Sequence, residues 1–247
     1  EATSRSSIDL PGVQNQLFMR LLKTGKPITV VLFNGRPLTI NDIDQNANAV
    51  LEAWFPGTKA GSAIASVLFG DENPSGKLPM TFPKSVGQIP IHYNMKNTGR
   101  PWDGFTNTTS RYTDIDNKPL YPFGYGLSYS TFEYSTIFLD RDSFNAGESL
   151  KAGIKVKNTS NRDGEEVVQL YIRDLVGTVT RPVKELKGFK KVLVPAGEEV
   201  LIEFKIDESL LKFYNTKHEY ASESGSFELM IGTSSEKFQS CFFNFNK

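Results

Sequence analysis

Residues 150–157 read LKAGIKVK, with Leu150, Ala152, Ile154 and Val156 alternating against Lys151, Gly153, Lys155 and Lys157. That period of two is the signature of a strand with one dry and one wet face. The stretches EEVVQLYIRD, GFKKVLV, EVLIEFKID, GSFELMIGTSS and FQSCFFNF continue the series, with turns such as PAGE between them. About seven strands without an intervening helix predict an antiparallel, immunoglobulin-like sandwich from Thr131 to the end. The chain has a single cysteine, Cys241, so no cysteine pair can flank a core tryptophan, and the fibronectin type III variety is expected.

The front of the chain has a different grammar. LPGVQNQLFMRLLKTGKP places Pro11 near a helix start and Gly25 and Pro27 at its stop, with Val13, Leu17, Leu21, Phe18 and Leu22 on one apolar stripe. PITVVLFNGRP is apolar from Ile28 to Phe33 without alternation, as in a parallel strand covered on both faces. AVLEAWFPG reads as a second strand, TKAGSAIASVLFGD as a helix with Ala60, Ile64 and Leu68 at helical spacing, and GKLPMTF as a third short strand. The expected class is therefore α/β plus all-β. A partial open α/β layer, the remnant of an α/β/α sandwich over 1–93, is followed by an aromatic connector at 94–130 and the β-sandwich at 131–247. Three strands fall short of the roughly five or six of an average sheet.

Composition excludes several classes. The 28 basic and 28 acidic side chains cancel, which leaves no field for nucleic acid. No apolar run is long enough for a membrane helix. Two distant histidines, His92 and His218, and one cysteine lack metal-ligand spacing, so neither a metal nor another cofactor is expected. GYGLSY lacks the third glycine and the following helix of a dinucleotide site and reads as a packed turn. NTT at Asn107 and NTS at Asn158 match a glycosylation pattern too common to carry weight. The connector holds Trp102, Phe105, Tyr112, Tyr121, Phe123, Tyr125 and Tyr129, too aromatic for a free linker, and is expected to lie pinned on protein surface. Its aromatic faces suit sugar rings. Trp102 and Arg111 are the candidate substrate-binding pair, with packing the competing reading, while Asp103, Asp114 and Asp116 read as solvated loop acids.

EATSRSSIDLPGVQ, GKPITVVLFNGRPL, the stretch from VLEAWFPG to IPIHYN, LYPFGYGLSYSTFEYS, EVVQLYIRD and TRPVKELKGFKKV resemble, in order, the C-terminal portion of glycoside hydrolase family three, the β-glucosidase and β-xylosidase group, in its bacterial periplasmic form. The resemblance implies a three-part retaining glycosidase. A barrel domain would carry an aspartate nucleophile, an α/β sandwich the acid/base, and a fibronectin-like domain would close the chain. It makes Glu1, in E-A-x-S-R, the general acid/base and Arg5 a supporting charge. On that reading the chain opens inside an active site and lacks the barrel.

The chain alone is then expected to be inactive toward β-linked glucosides, since retention needs two carboxyl groups about 5 to 5.5 Å apart. If Glu1 is a true terminus, its α-ammonium also favours the ionised carboxylate over the acid. The expected partners are β-linked glucosides or oligosaccharides and the barrel domain of the same enzyme. Neither nucleic acid nor membrane is expected, and a homo-oligomer is left open because an uncovered apolar face drives association. A periplasmic or secreted location follows from the resemblance alone. The competing reading is a non-catalytic carbohydrate-binding or scaffolding protein built on the same sandwich.

Overall fold

The computed structural model describes residues 3–106 and 108–247. These residues form two compact units. The first comprises the chain up to Glu72, Met80–Ile91 and Tyr112–Pro122; the second comprises Asn73–Pro79, His92–Arg111 and Phe123–Lys247.

The first unit contains α1 (Gln14–Leu22), β1 (Thr29–Leu32), α2 (Asn41–Asn46), β2 (Ala49–Glu52) and α3 (Ala60–Phe69). β1 and β2 pair in parallel, Thr29 opposite Ala49 through Leu32 opposite Glu52. The helix α3 stops at Gly70, whose φ of 83° is the left-handed terminating conformation that glycine adopts without a Cβ penalty. Its N–H donates to the Val67 carbonyl at 3.1 Å.

Two expectations change here, and one apolar helix face turns out to be uncovered. GKLPMTF forms no strand: Pro79 has no N–H to give to a ladder, Leu78 pairs locally with Tyr125 in the second unit, and Phe82 makes an isolated bridge to Tyr121 in the first. The apolar run of β1 is only half covered, since Leu32 is buried but Phe33 is exposed. The α1 stripe faces outward, with Val13, Leu17 and Leu21 at 68%, 57% and 43% exposure, and Phe18 alone buried. The helix α2, not expected from the sequence, is held mainly by buried Ile43.

Gln88, 3% exposed, knits this unit. Its Oε1 accepts from the Lys84 N–H at 2.7 Å and its Nε2 donates to the Asp116 and Lys118 carbonyls, so the buried amide is satisfied at both ends. The aromatics Trp54, Phe82 and Tyr121 meet edge to face at centroid distances of 5.9 Å.

In the second unit eleven strands follow: β3 (Phe132–Tyr134), β4 (Phe138–Leu139), β5 (Ser143–Asn145), β6 (Ser149–Asn158), β7 (Gly164–Asp174), β8 (Glu185–Val194), β9 (Glu199–Asp207), β10 (Phe213–Tyr214), β11 (Tyr220–Ala221), β12 (Gly225–Gly232) and β13 (Phe238–Asn246). One sheet runs β5-β13-β12-β7-β8; in the other, β6 pairs with β9 on one side and with β3 and β4 on the other. Their inner faces share one core that includes Leu150, Ile154, Leu170, Ile202, Leu229 and Phe243. The alternating apolar set of β6 is fully buried, as its period requires. This is the expected fibronectin-like sandwich.

β7 is dry on both sides. Val168, Leu170 and Ile172 enter the core, while Gln169 and Tyr171 are buried on the outer face. There Tyr93 stacks on Phe123 at 4.3 Å and meets Tyr171 edge-on at 5.7 Å, and Gln169 Nε2 donates to the Gly124 and Thr233 carbonyls. GYGLSY is thus a packed turn: a Cβ on Gly124, at φ 79°, would lie 2.0 Å from Gln169 Oε1. Asn158 is fully buried, its Nδ2 donating to the Arg162 and Val194 carbonyls, and Asn107 lies outside the described residues.

Candidate active site

Ligands of open α/β sheets sit beyond the carboxyl ends of the strands, because the connecting loops converge there. At that end of β1 and β2, the loop 33–38 and the segment 52–55 meet within the first unit. Asn34 Nδ2 donates to the Arg36 carbonyl at 2.9 Å and to Glu52 Oε2 at 3.1 Å, and Glu52 Oε1 accepts from the Trp54 N–H at 2.9 Å. Burial pushes the Glu52 carboxyl above its usual range, while the bonds from Trp54 and Asn34 pull the other way. Trp54 has a φ of 51°, an uncommon conformation for a side chain of its size. A Cβ on Gly35 would meet the ring of the exposed Phe55 at 2.5 Å.

Arg36 is the centre of this loop. Its guanidinium donates to the Ser4 hydroxyl at 3.4 Å, to the Arg5 carbonyl and to the Ser7 carbonyl at 3.1 Å. The segment it holds has no helix or strand geometry of its own. Just beyond, Ile8 is buried, its carbonyl accepts from the Thr39 N–H at 3.0 Å, and Asp9 accepts from the Thr39 hydroxyl. The residues after Ala2 are therefore fixed along the carboxyl side of β1.

The sequence candidates fall as follows. Glu1 lies outside the described residues. Arg5 is exposed, and its guanidinium donates to the Asp9 carbonyl at 3.2 Å. In the second unit, Arg111 covers the Trp102 ring at 5.2 Å from its centroid, so those two candidates do come together, with Trp102 half-buried. Asp103 is exposed but not idle: its carboxylate accepts from the Phe105 and Thr106 N–H groups and from the Thr106 hydroxyl, which holds it down at about 2. Asp116 sits 3.8 Å from Lys84 within the first unit.

Reading the sequence by residue type missed Arg36, Asn34 and Glu52. The signal was present in FNGRP, a Gly-Arg-Pro run directly after an apolar strand, which is where a sheet's ligand-side loop begins. A neighbouring depression of about 160 Å³ is lined by Asp9 and Asp42, among others. Both acids are committed to structure, Asp9 to Thr39 and Ser7, and Asp42 to the Asn15 amide at 2.8 Å. Among the described residues no three His, Cys, Asp or Glu side chains converge as metal ligands, and no helix is long and apolar enough to cross a membrane.

Residues 1–129 match the glycosyl hydrolase family 3 C-terminal domain, and residues 166–235 match the fibronectin type III-like domain. The chain is 48% identical over 239 residues to the periplasmic beta-glucosidase of Salmonella typhimurium, covering 96% of this chain and 31% of that protein. It is 44% identical over 236 residues to a beta-xylosidase of Formosa agariphila, covering 96% and 32%. The crystal structure of a beta-glucosidase from Listeria innocua in complex with glucose superposes with a TM-score of 0.95 at 44% identity, over 99% of this chain and 34% of that one. The chain thus spans about a third of the length of the relatives it matches. With the family's domain running through the Arg36 loop and the segment that Arg36 holds, this chain belongs to glycosyl hydrolase family 3.

Proposed function

We propose that the chain is the C-terminal part of a retaining β-glucosidase that removes terminal non-reducing β-D-glucosyl residues, and that Glu1 is its general acid/base. An aspartate on a barrel domain outside this sequence attacks the anomeric carbon while Glu1 gives its proton to the departing glycosidic oxygen. Glu1 then takes a proton from water, which attacks the same carbon and frees the aspartate with net retention. Arg5 supplies a positive charge near the carboxylate, and Trp102 with Arg111 contacts the substrate. A periplasmic or secreted location accords with the name of the Salmonella relative.

The observation that carries this reading is the fold shared over 99% of the chain with a beta-glucosidase crystallised with glucose. Two measurements test it. The purified 247-residue chain is expected to leave 4-nitrophenyl β-D-glucoside intact, whereas the polypeptide that joins it to a barrel domain hydrolyses it. In that longer polypeptide, Glu1→Ala is expected to lower turnover by about 10²–10⁴-fold. Turnover by the chain alone, or an indifferent Glu1→Ala variant, would sink the proposal.

A further inference from the structure

The Arg36 guanidinium reaches residues 4, 5 and 7, the stretch that directly follows Glu1 in sequence. We propose that Arg36, braced by Asn34 and Glu52, is a positioning residue for the general acid/base, holding the otherwise irregular Ser4–Ser7 segment at the carboxyl end of β1. The inference rests on the role proposed above for Glu1.

The geometry suits that task. Among the described residues the acceptors of the Arg36 guanidinium are neutral oxygens of one short segment, which it holds as a strap. A planar guanidinium presents its donors in a fixed fork, and one side chain can therefore fix several successive residues where an ammonium would act as a single point. The strap is itself anchored. Asn34 bridges the Arg36 carbonyl to Glu52, and Glu52 is tied to the Trp54 N–H at the end of β2. Through this chain of bonds the parallel pair β1 and β2 transmits its rigidity to a segment that has no ladder of its own. An acid that must protonate a departing oxygen gains most from such fixing, because a displacement of about 1 Å costs about 10²-fold in rate.

The test uses the longer polypeptide with two substrates, and kcat/KM as the readout of glycosyl transfer to the enzyme. Methyl β-D-glucoside departs as an alkoxide and needs the proton. 2,4-Dinitrophenyl β-D-glucoside departs without it. For Arg36→Ala, kcat/KM is expected to fall about 10²-fold on the methyl glucoside and less than about threefold on the dinitrophenyl glucoside. Added azide should raise turnover of the latter and yield β-glucosyl azide, since azide is already an anion and needs no general base to attack the glycosyl-enzyme and release the aspartate carboxylate. Parallel loss on both substrates, no loss on either, or no response to azide would overturn the inference. Arg36→Lys, which keeps the charge and loses the fork, and Asn34→Ala carry the same comparison if Arg36→Ala does not fold, and a parallel loss in these two overturns it equally. Glu1→Ala separates the two levels. If it lacks the leaving-group and azide signature, the proposed function fails; if it shows the signature and the Arg36 variants do not, only the positioning role fails.

Discussion

Lys77 Nζ lies 3.1 Å from the Glu166 carboxylate, with the two side chains 11% and 3% exposed. Tyr134 donates its hydroxyl to the same carboxylate at 2.9 Å, and Lys77 also donates to the Gly126 carbonyl at 3.0 Å. Each charge is thus compensated by its partner and by neutral dipoles. Burial and the adjacent Glu166 charge hold the Tyr134 phenol protonated well above its usual range.

Removing one member of such a pair strands the other. Lys77→Met is expected to cost about 3 kcal/mol in urea unfolding, and adding Glu166→Gln to it should restore at least about 1 kcal/mol, because the neutral amide can still accept from Tyr134. Equal stabilities for the single and double variants would contradict this account.

Gly124 is required twice, by its φ of 79° and by the approach of Gln169. Gly124→Ala is expected to destabilise the chain by about 2–3 kcal/mol in thermal or urea unfolding, more than the strain of a left-handed alanine alone. Gly197, also at positive φ but with open space around its missing Cβ, is the control and should lose only the strain component.

Asp103 titrates unusually low because the Thr106 hydroxyl and N–H both donate to it, with the Phe105 N–H adding to them. An acid whose folded value is depressed supports the fold above its ordinary value and loses that support as the pH falls through the folded one. Between 3.8 and about 2 the 103–106 turn should therefore loosen. Carboxyl NMR is expected to place the Asp103 midpoint near 2, and Thr106→Ala to move it back toward 3.8.

The outward stripe of α1 gives a solution prediction. The chain is expected to bind a hydrophobic dye and to self-associate, and Leu17→Lys with Leu21→Lys should reduce both while changing unfolding free energy by no more than about 0.5 kcal/mol per site. A larger loss would mean that these leucines are packed in solution.

The sandwich was legible where charge and apolar residues alternate. β6 announces itself because each lysine marks the wet face between buried neighbours. β7 hides its outer face, since Gln169 and Tyr171 are polar types whose burial depends on Tyr93, Phe123 and Gly124, distant in sequence. GKLPMTF misled because an apolar run shows burial without showing what it pairs with. The short helix α2 has one buried side chain and so no stripe to detect. In the second unit, Trp102 and Arg111 could be paired from proximity along the chain. The Arg36 strap could not, because it closes across 29 to 32 positions through backbone carbonyls, which carry no residue signature.

The outer face of β7 also governs how this protein can be subdivided in the laboratory. A recombinant sandwich starting at Thr131 would discard Lys77, Tyr93, Phe123 and Gly124 and leave Tyr171 and Gln169 wet and Glu166 without its counter-charge. Such a truncation would be sticky and poorly behaved for reasons unrelated to its strands, and a useful excision has to carry those upstream residues along.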